Sequence, residues 1–172
     1  MAQQKVVILI PVDYGPDERD AIGQEIVDRI IARTRNEQKD RFGDSFPAYS
    51  KSYEKEKGSS TVDLTMTGAM LDELQVLSHR RGEVVIGYDA SSDLNGRAEG
   101  NIKGSYGGSD NPLRARDFLG IEDADLESIL GMFDAQSSVE QARAISVANS
   151  FARDIASNST VSLSELLGED DE

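Results

Sequence analysis

QVLSHRRGEVVIGYD, residues Gln75–Asp89, is the stretch on which the fold turns. Apolar and β-branched residues lie on both sides of Arg81-Gly82, a pair suited to a tight reversal, so the stretch predicts an antiparallel hairpin whose second strand runs from Val84 to Tyr88. Upstream, TVDLTMTGAMLDELQVLS (residues 61–78) has the form strand, cap, short helix, strand. Thr67 is the expected N-cap, and Met70, Leu71 and Leu74 share one helical face. A third strand is expected at Lys5–Val12 (KVVILIPV), where Pro11 requires a sheet edge or a strand end. Between this strand and the hairpin, Gly15-Pro16-Asp17-Glu18 gives a turn and an acidic first helical turn. Ile22, Ile26, Val27, Ile30 and Ile31 then recur at helical spacing, an amphipathic helix of about five turns.

These elements predict an α+β fold: a small antiparallel sheet with a long N-terminal amphipathic helix packed on it, plus C-terminal helices. The C-terminal helices are a short acidic one over Ala124–Phe133 and a second starting at Ser138, with Val139, Ala142, Ile145, Ala148 and Phe151 on one stripe. Residues 1–133 are expected to form the α+β domain, and 134–172 a helix and acidic tail in which Val161, Leu163, Leu166 and Leu167 are available to dock on a neighbour. Two stretches lack periodicity and are expected to be long mobile loops, 36–60 and the Gly/Ser/Asn-rich 90–110. The first holds Phe42, Phe46, Tyr49 and Tyr53, four of the ten Phe and Tyr residues of the chain. Disordered linkers usually lack such rings. It is either a loop docked by its aromatics or an arm that orders against a partner.

Charge narrows the function classes. The net charge is -14, and residues 122–172 carry 12 acids against 2 bases, whereas residues 1–60 are nearly balanced at 11 against 10. Such a surface repels phosphate backbones and argues against sequence-specific nucleic-acid binding, although an acidic wall suits a passage along which DNA must slide. No cysteine is present, hence no disulfide framework and no thiolate chemistry. The apolar run at the N-terminus is broken by Pro11 and Asp13, too soon for a membrane span, and the expectation is a soluble protein of cytoplasmic origin.

Residues able to carry catalysis are sparse. The single histidine, His79, is expected in the hairpin turn beside Arg80 and Arg81, with no nucleophile placed for it. DADLESILG lacks the offsets of a calcium loop, and GSYGGS lacks the lysine and helix of a phosphate loop. No cofactor and no metal are expected. What stands out are contact residues, since Arg, Tyr and Phe carry much of the energy of protein interfaces. They concentrate in Phe46–Lys57 and Pro112–Leu119, which gives the candidate interface residues Phe46, Tyr49, Lys51, Tyr53, Lys57, Arg114, Arg116 and Phe118. For Phe118 and Leu119 the sequence leaves open whether they plug the domain's own core or meet another chain. Arg114 and Arg116 are expected to reach acids on an adjoining subunit.

FPAYSKSYEKEKG, VDLTMTGAMLDELQVLS, EVVIGYD, a loop containing AEG, and NPLRARDFLGIEDADLESIL, in that order, resemble the virion-morphogenesis proteins of tailed bacteriophages, also described as neck, tail-completion or head-tail joining proteins. The resemblance spans roughly residues 20–132, and Arg116 is the better match to the arginine of the family's closing Pro-x-Arg-x-Phe-Leu-Gly motif. This chain departs from the pattern in its extra N-terminal strand and its acidic extension. The resemblance implies a structural virion protein, not an enzyme, assembled in the host cytoplasm and located at the neck or tail junction. It would form a ring of six copies or a multiple, between a head-tail connector or adaptor and the tail terminator, tube or sheath proteins. Two readings outside this class remain: a monomeric adaptor that binds through the aromatic arm, and a small-molecule or nucleotide enzyme with its site in the Gly-rich loop.

Overall fold

The computed structural model describes residues 2–64, 68–105, 114–134 and 136. The expected cap Thr67, the loop residues up to Leu113 including Pro112, the helix from Ser138 and the tail lie outside them. The chain divides into two units, residues 1–130 and 131–172, and the fold below is that of the first.

Three strands form an antiparallel sheet in the order β1 (Lys5–Leu9), β3 (Glu83–Gly87), β2 (Gln75–Arg80). β1 is an edge strand and Pro11 falls just beyond its end, so both constraints that proline imposes are met. The hairpin turns at Arg81-Gly82 with Gly82 at φ +83°, a backbone region open to glycine without steric cost. Lys5 pairs with Gly87 and Leu9 with Glu83 across one ladder. On the other ladder the register slips between Val76 and Ser78, which makes Leu77 a bulge and bends β2. His79 therefore sits on β2 and not in the turn.

Helix α1 (Pro16–Ala32) begins where expected. Pro16 occupies the first helical position, and Glu18 reaches back so that its Oε2 accepts the Gly15 N–H at 2.6 Å. Its buried stripe is Ile22, Ile26, Val27 and Ile30. Gly23 lets the helix approach the sheet closely: a Cβ there would lie 2.8 Å from Val76 Cγ2 and 3.0 Å from Val84 Cγ1. Ile8, Val84, Ile86 and Leu71 complete the core, and Tyr88, fully buried, donates its hydroxyl to the Met70 carbonyl at 2.8 Å. The α+β class, the small antiparallel sheet and the long helix packed upon it are thus all present. After Ala32 the helix widens into a π turn (Arg33–Glu37), closed by Gln38 in the left-handed region at φ 57°.

Two corrections concern the expected loops. Within 90–110, residues Leu94–Lys103 form helix α4, capped by Gly104 at φ 68°. Its buried side is made of Leu94, Asn95, Ala98, Gly100 and Asn101, so small residues and amides form the stripe that large apolar residues usually mark. Segment 36–60 is likewise structured. A bridge joins Lys39 to Ser45, Asp40 Oδ1 accepts the N–H groups of Phe42 and Asp44 at 2.9 Å each, and helix α2 (Lys51–Lys57) runs between the Ser50 cap and Gly58. Short helix α3 (Ala69–Asp72) buries Met70 and Leu71, as the sequence indicates. Within this unit a further helix, α5, begins at residue 123 and matches the start of the expected acidic helix. No helix among the described residues is long and apolar enough to cross a membrane.

Gly87 sits where β3 passes closest to β1. A Cβ there would collide with the Gln4 carbonyl oxygen and lie 2.8 Å from Lys5 Cα, both backbone atoms that cannot rotate away. Gly87→Ala is expected to pry β1 from the sheet at a cost of about 3 kcal/mol in chemical denaturation.

Candidate functional site

Four of the residues that the sequence singles out for partner contact, Tyr49, Tyr53, Lys57 and Arg116, come together on each other. Ser50 starts α2 by accepting the Tyr53 N–H on its Oγ at 3.3 Å, and one turn of helix sets Tyr53 against Tyr49, edge to face at 4.7 Å between centroids. Lys57, a turn further on, lays its ammonium 4.9 Å from the Tyr49 ring centre while bonding the Thr61 carbonyl at 2.6 Å and pairing with Asp63. The Arg116 guanidinium lies over the same ring at 4.7 Å. Tyr49 therefore contacts two cations, each attracted by the negative face of the ring.

Arg116 is 4% exposed. Its Nε and Nη2 donate to the Pro47 carbonyl at 3.2 and 3.1 Å, and Nη2 also donates to the Ala48 carbonyl at 3.2 Å, while its backbone N–H bonds the Asn101 carbonyl at 2.7 Å. The planar five-donor fork suits adjacent carbonyls better than a lysine point charge could. The expectation that Arg116 reaches an adjoining subunit is therefore replaced by a contact within the chain. Phe118 is fully buried and Leu119 is 4% exposed, so this pair plugs the domain's own core; Phe46, 8% exposed, does likewise. The Tyr49 hydroxyl accepts the Leu64 N–H at 3.2 Å, at a residue held with φ 56°. Burial pushes this hydroxyl's pKa up, opposed by that hydrogen bond and by Arg116. Of the predicted interface set, Lys51 and Arg114 face solvent.

A second buried guanidinium escaped the sequence analysis. Arg33, fully buried at the start of the π turn, donates from Nη2 to the carbonyls of Phe118 at 2.9 Å and Gly120 at 2.8 Å. Burial lowers its pKa, with Glu122 and Asp125 opposing that shift. Its signal was its place: it continues the Ile26–Ile30 stripe at helical spacing, a charge on the apolar face. Nearby, Arg41 Nε lies 2.9 Å from Asp117 Oδ2, and Arg29 ties α1 to α5 through Asp125 at 2.7 Å while also pairing with Glu37. Asn95 and Asn101 were missed as well. Asn95 accepts the Gln4 N–H at 2.7 Å and donates to the carbonyls of Asp89 and Ser92, fixing the segment before β1.

The glycine-rich stretch offered as an enzyme site is helical over Leu94–Lys103, while Gly107 and Gly108 lie outside the described residues. Among the described residues no group of three His, Cys, Asp or Glu side chains could hold a metal ion. Compared with known proteins, the chain matches no family model, no curated protein and no solved structure.

Substitutions at three residues test this geometry. Arg116→Ala is expected to cost about 3 kcal/mol of folding stability, because it removes a buried guanidinium together with its hydrogen bonds to the Pro47 and Ala48 carbonyls. Arg116→Lys should recover less than half of that loss, and Tyr49→Phe should cost about 1 kcal/mol, all read by urea denaturation. The third concerns Asp117, whose pKa is raised, chiefly by burial, against the pull of Arg41. Because the folded value lies above the unfolded one, stability associated with this group is greatest at low pH. It declines as pH climbs from the ordinary carboxylate range through the raised value, and is level above it. Asp117→Asn should abolish that decline in a plot of melting temperature against pH.

Proposed function

We propose that this chain is a structural, non-enzymatic subunit of the neck or tail end of a tailed phage. In this reading it closes head to tail into a ring that joins or completes the tail and passes DNA. The observation that carries the proposal is the colinear motif order, in which the two most distinctive pieces pack together. The Tyr-Ser-Lys-Ser-Tyr arm and the Arg-Ala-Arg-Asp-Phe-Leu-Gly motif, remote in sequence, meet through Arg116 and Tyr49. A pair of motifs that forms one folded unit is a reason for the two to occur together in a family.

The clasp alters how assembly would work. Ordering an arm against a partner costs ~1–2 kcal/mol per residue fixed, and an arm already folded onto its own domain does not present that cost to the interface. Subunits would then meet through pre-formed surfaces. On the arm and the closing motif these include Lys51 and Arg114, both exposed cations in a protein of net charge -14, positioned to meet acids of an adjoining copy. Acids of the last third would flank the DNA passage, among them the exposed Asp123 and Glu127 of α5.

Light scattering during size exclusion, with purified connector added as template, tests the assembly. The reading expects a closed species of six subunits or a multiple, lost on Lys51→Glu/Arg114→Glu with the melting temperature unchanged. Immunogold labelling of purified virions should mark the head-tail joint. A chain that stays monomeric with the connector, or virions unlabelled at that joint, would contradict it.

A further inference from the structure

Among the described residues the sheet has two edges without a strand neighbour, and they are treated differently. β2 carries a bulge at Leu77 and ends in His79 and Arg80, devices that deter pairing with another strand. β1 has no bulge, and Val7 and Leu9 are 51% and 73% exposed. Its hydrogen-bond phase follows from its flanks: Tyr88 N donates to the Gln4 carbonyl at 3.2 Å and Ile10 N to the Gly82 carbonyl at 3.1 Å. Gln4, Val6, Ile8 and Ile10 are thus the residues bonded to β3, and by antiparallel alternation Lys5, Val7 and Leu9 direct their N–H and C=O groups away from the sheet. Alongside runs an open groove of about 790 Å³, lined by Val6–Leu9, Arg41, Phe42 and residues 120–124 with Leu126. Phe42, 65% exposed, stands on its rim.

The geometry points to β1 as a docking edge for an extended, cationic peptide segment of a partner protein, added as a fourth strand with apolar side chains at alternate positions. The unpaired backbone groups specify an extended chain. The groove specifies alternation, because an added strand turns every second side chain toward Leu9, Phe42 and Leu126. Charge specifies the sign: Glu122 and Asp123 line the groove, whereas its one lining cation, Arg41, is matched by Asp117 at 2.9 Å. A second copy docked edge to edge fits poorly here, since it would bring its own Glu122 and Asp123 to the same groove. A five-residue edge about 17 Å long also offers far less than the ~1,200 Å² that stable protein pairs bury. Lys5 at one end of β1 and Pro11 past the other confine pairing to the strand between them. The inference does not rest on the neck reading, since it concerns the isolated chain.

A display selection of random linear peptides on the immobilised full chain tests it, followed by fluorescence anisotropy of the recovered peptides. Recovered sequences should alternate apolar residues and carry Lys or Arg, and their binding should weaken as salt is raised. Val7→Pro, which removes an outward N–H, and Leu9→Lys, at an exposed position, should each weaken binding at least tenfold. Glu122→Lys should weaken it by less. If Val7→Pro does not fold, Leu9→Lys, checked by its unchanged melting temperature, decides alone. The proposal is overturned if no peptide is recovered, if those recovered are acidic or show helical spacing, or if Leu9→Lys leaves binding intact. A dimer in sedimentation that Leu9→Lys dissolves would overturn it too, by giving the edge to a second copy.

Discussion

Two buried arginines hydrogen-bonded to backbone carbonyls hold the strip from residue 116 to 120, and the closing part of the domain depends on them. Arg33 reaches up from the end of α1 to the carbonyls of Phe118 and Gly120; Arg116 reaches from the strip to those of Pro47 and Ala48. In both cases a buried guanidinium is hydrogen-bonded to backbone oxygens. Such an arrangement bears a large desolvation cost, so removing the acceptors' geometry is as damaging as removing the charge. Phe118 and Leu119 can plug the core because the backbone on either side of them is fixed in this way.

The consequence reaches the arm. Tyr49 contacts both Arg116 and Lys57, Lys57 is anchored to Thr61 and Asp63, and the Tyr49 hydroxyl takes the Leu64 N–H. A chain stretch whose composition suggests mobility is thereby bound to residues 61–64 and, through Arg116, to a motif 68 and 69 residues from Ala48 and Pro47. Residues that look like interface anchors serve as internal ones. Among the described residues, the exposed features that remain include the Lys51 and Arg114 side chains and the β1 edge.

Much of the architecture was legible because it rests on period. Alternating β-branched residues gave the hairpin, the 3.6-residue recurrence of isoleucines gave α1, and Pro11 located β1 at an edge. The failures have a common cause: polar or small residues doing what apolar residues usually do. Helix α4 buries Ala98, Gly100, Asn95 and Asn101, none of which raises an apolar period. Arg116 is expected from the sequence to reach an adjoining subunit and is buried in its own chain, and Arg33, on the apolar stripe of α1, draws no expectation at all because its charge masks the period. Of the candidate residues, Phe46, Arg116 and Phe118 are buried in their own chain while Lys51 and Arg114 are exposed, since residue type marks the capacity to make contacts and not the side of the molecule on which they are made.

The account stands on Arg116 and Tyr49 being coupled within one chain. A double-mutant cycle of Arg116→Met and Tyr49→Leu, measured by equilibrium denaturation at two protein concentrations, addresses this directly. The clasp predicts a coupling of about 1 kcal/mol that is the same at both concentrations. Additivity to within about 0.3 kcal/mol, or a coupling that appears only at the higher concentration, would contradict it.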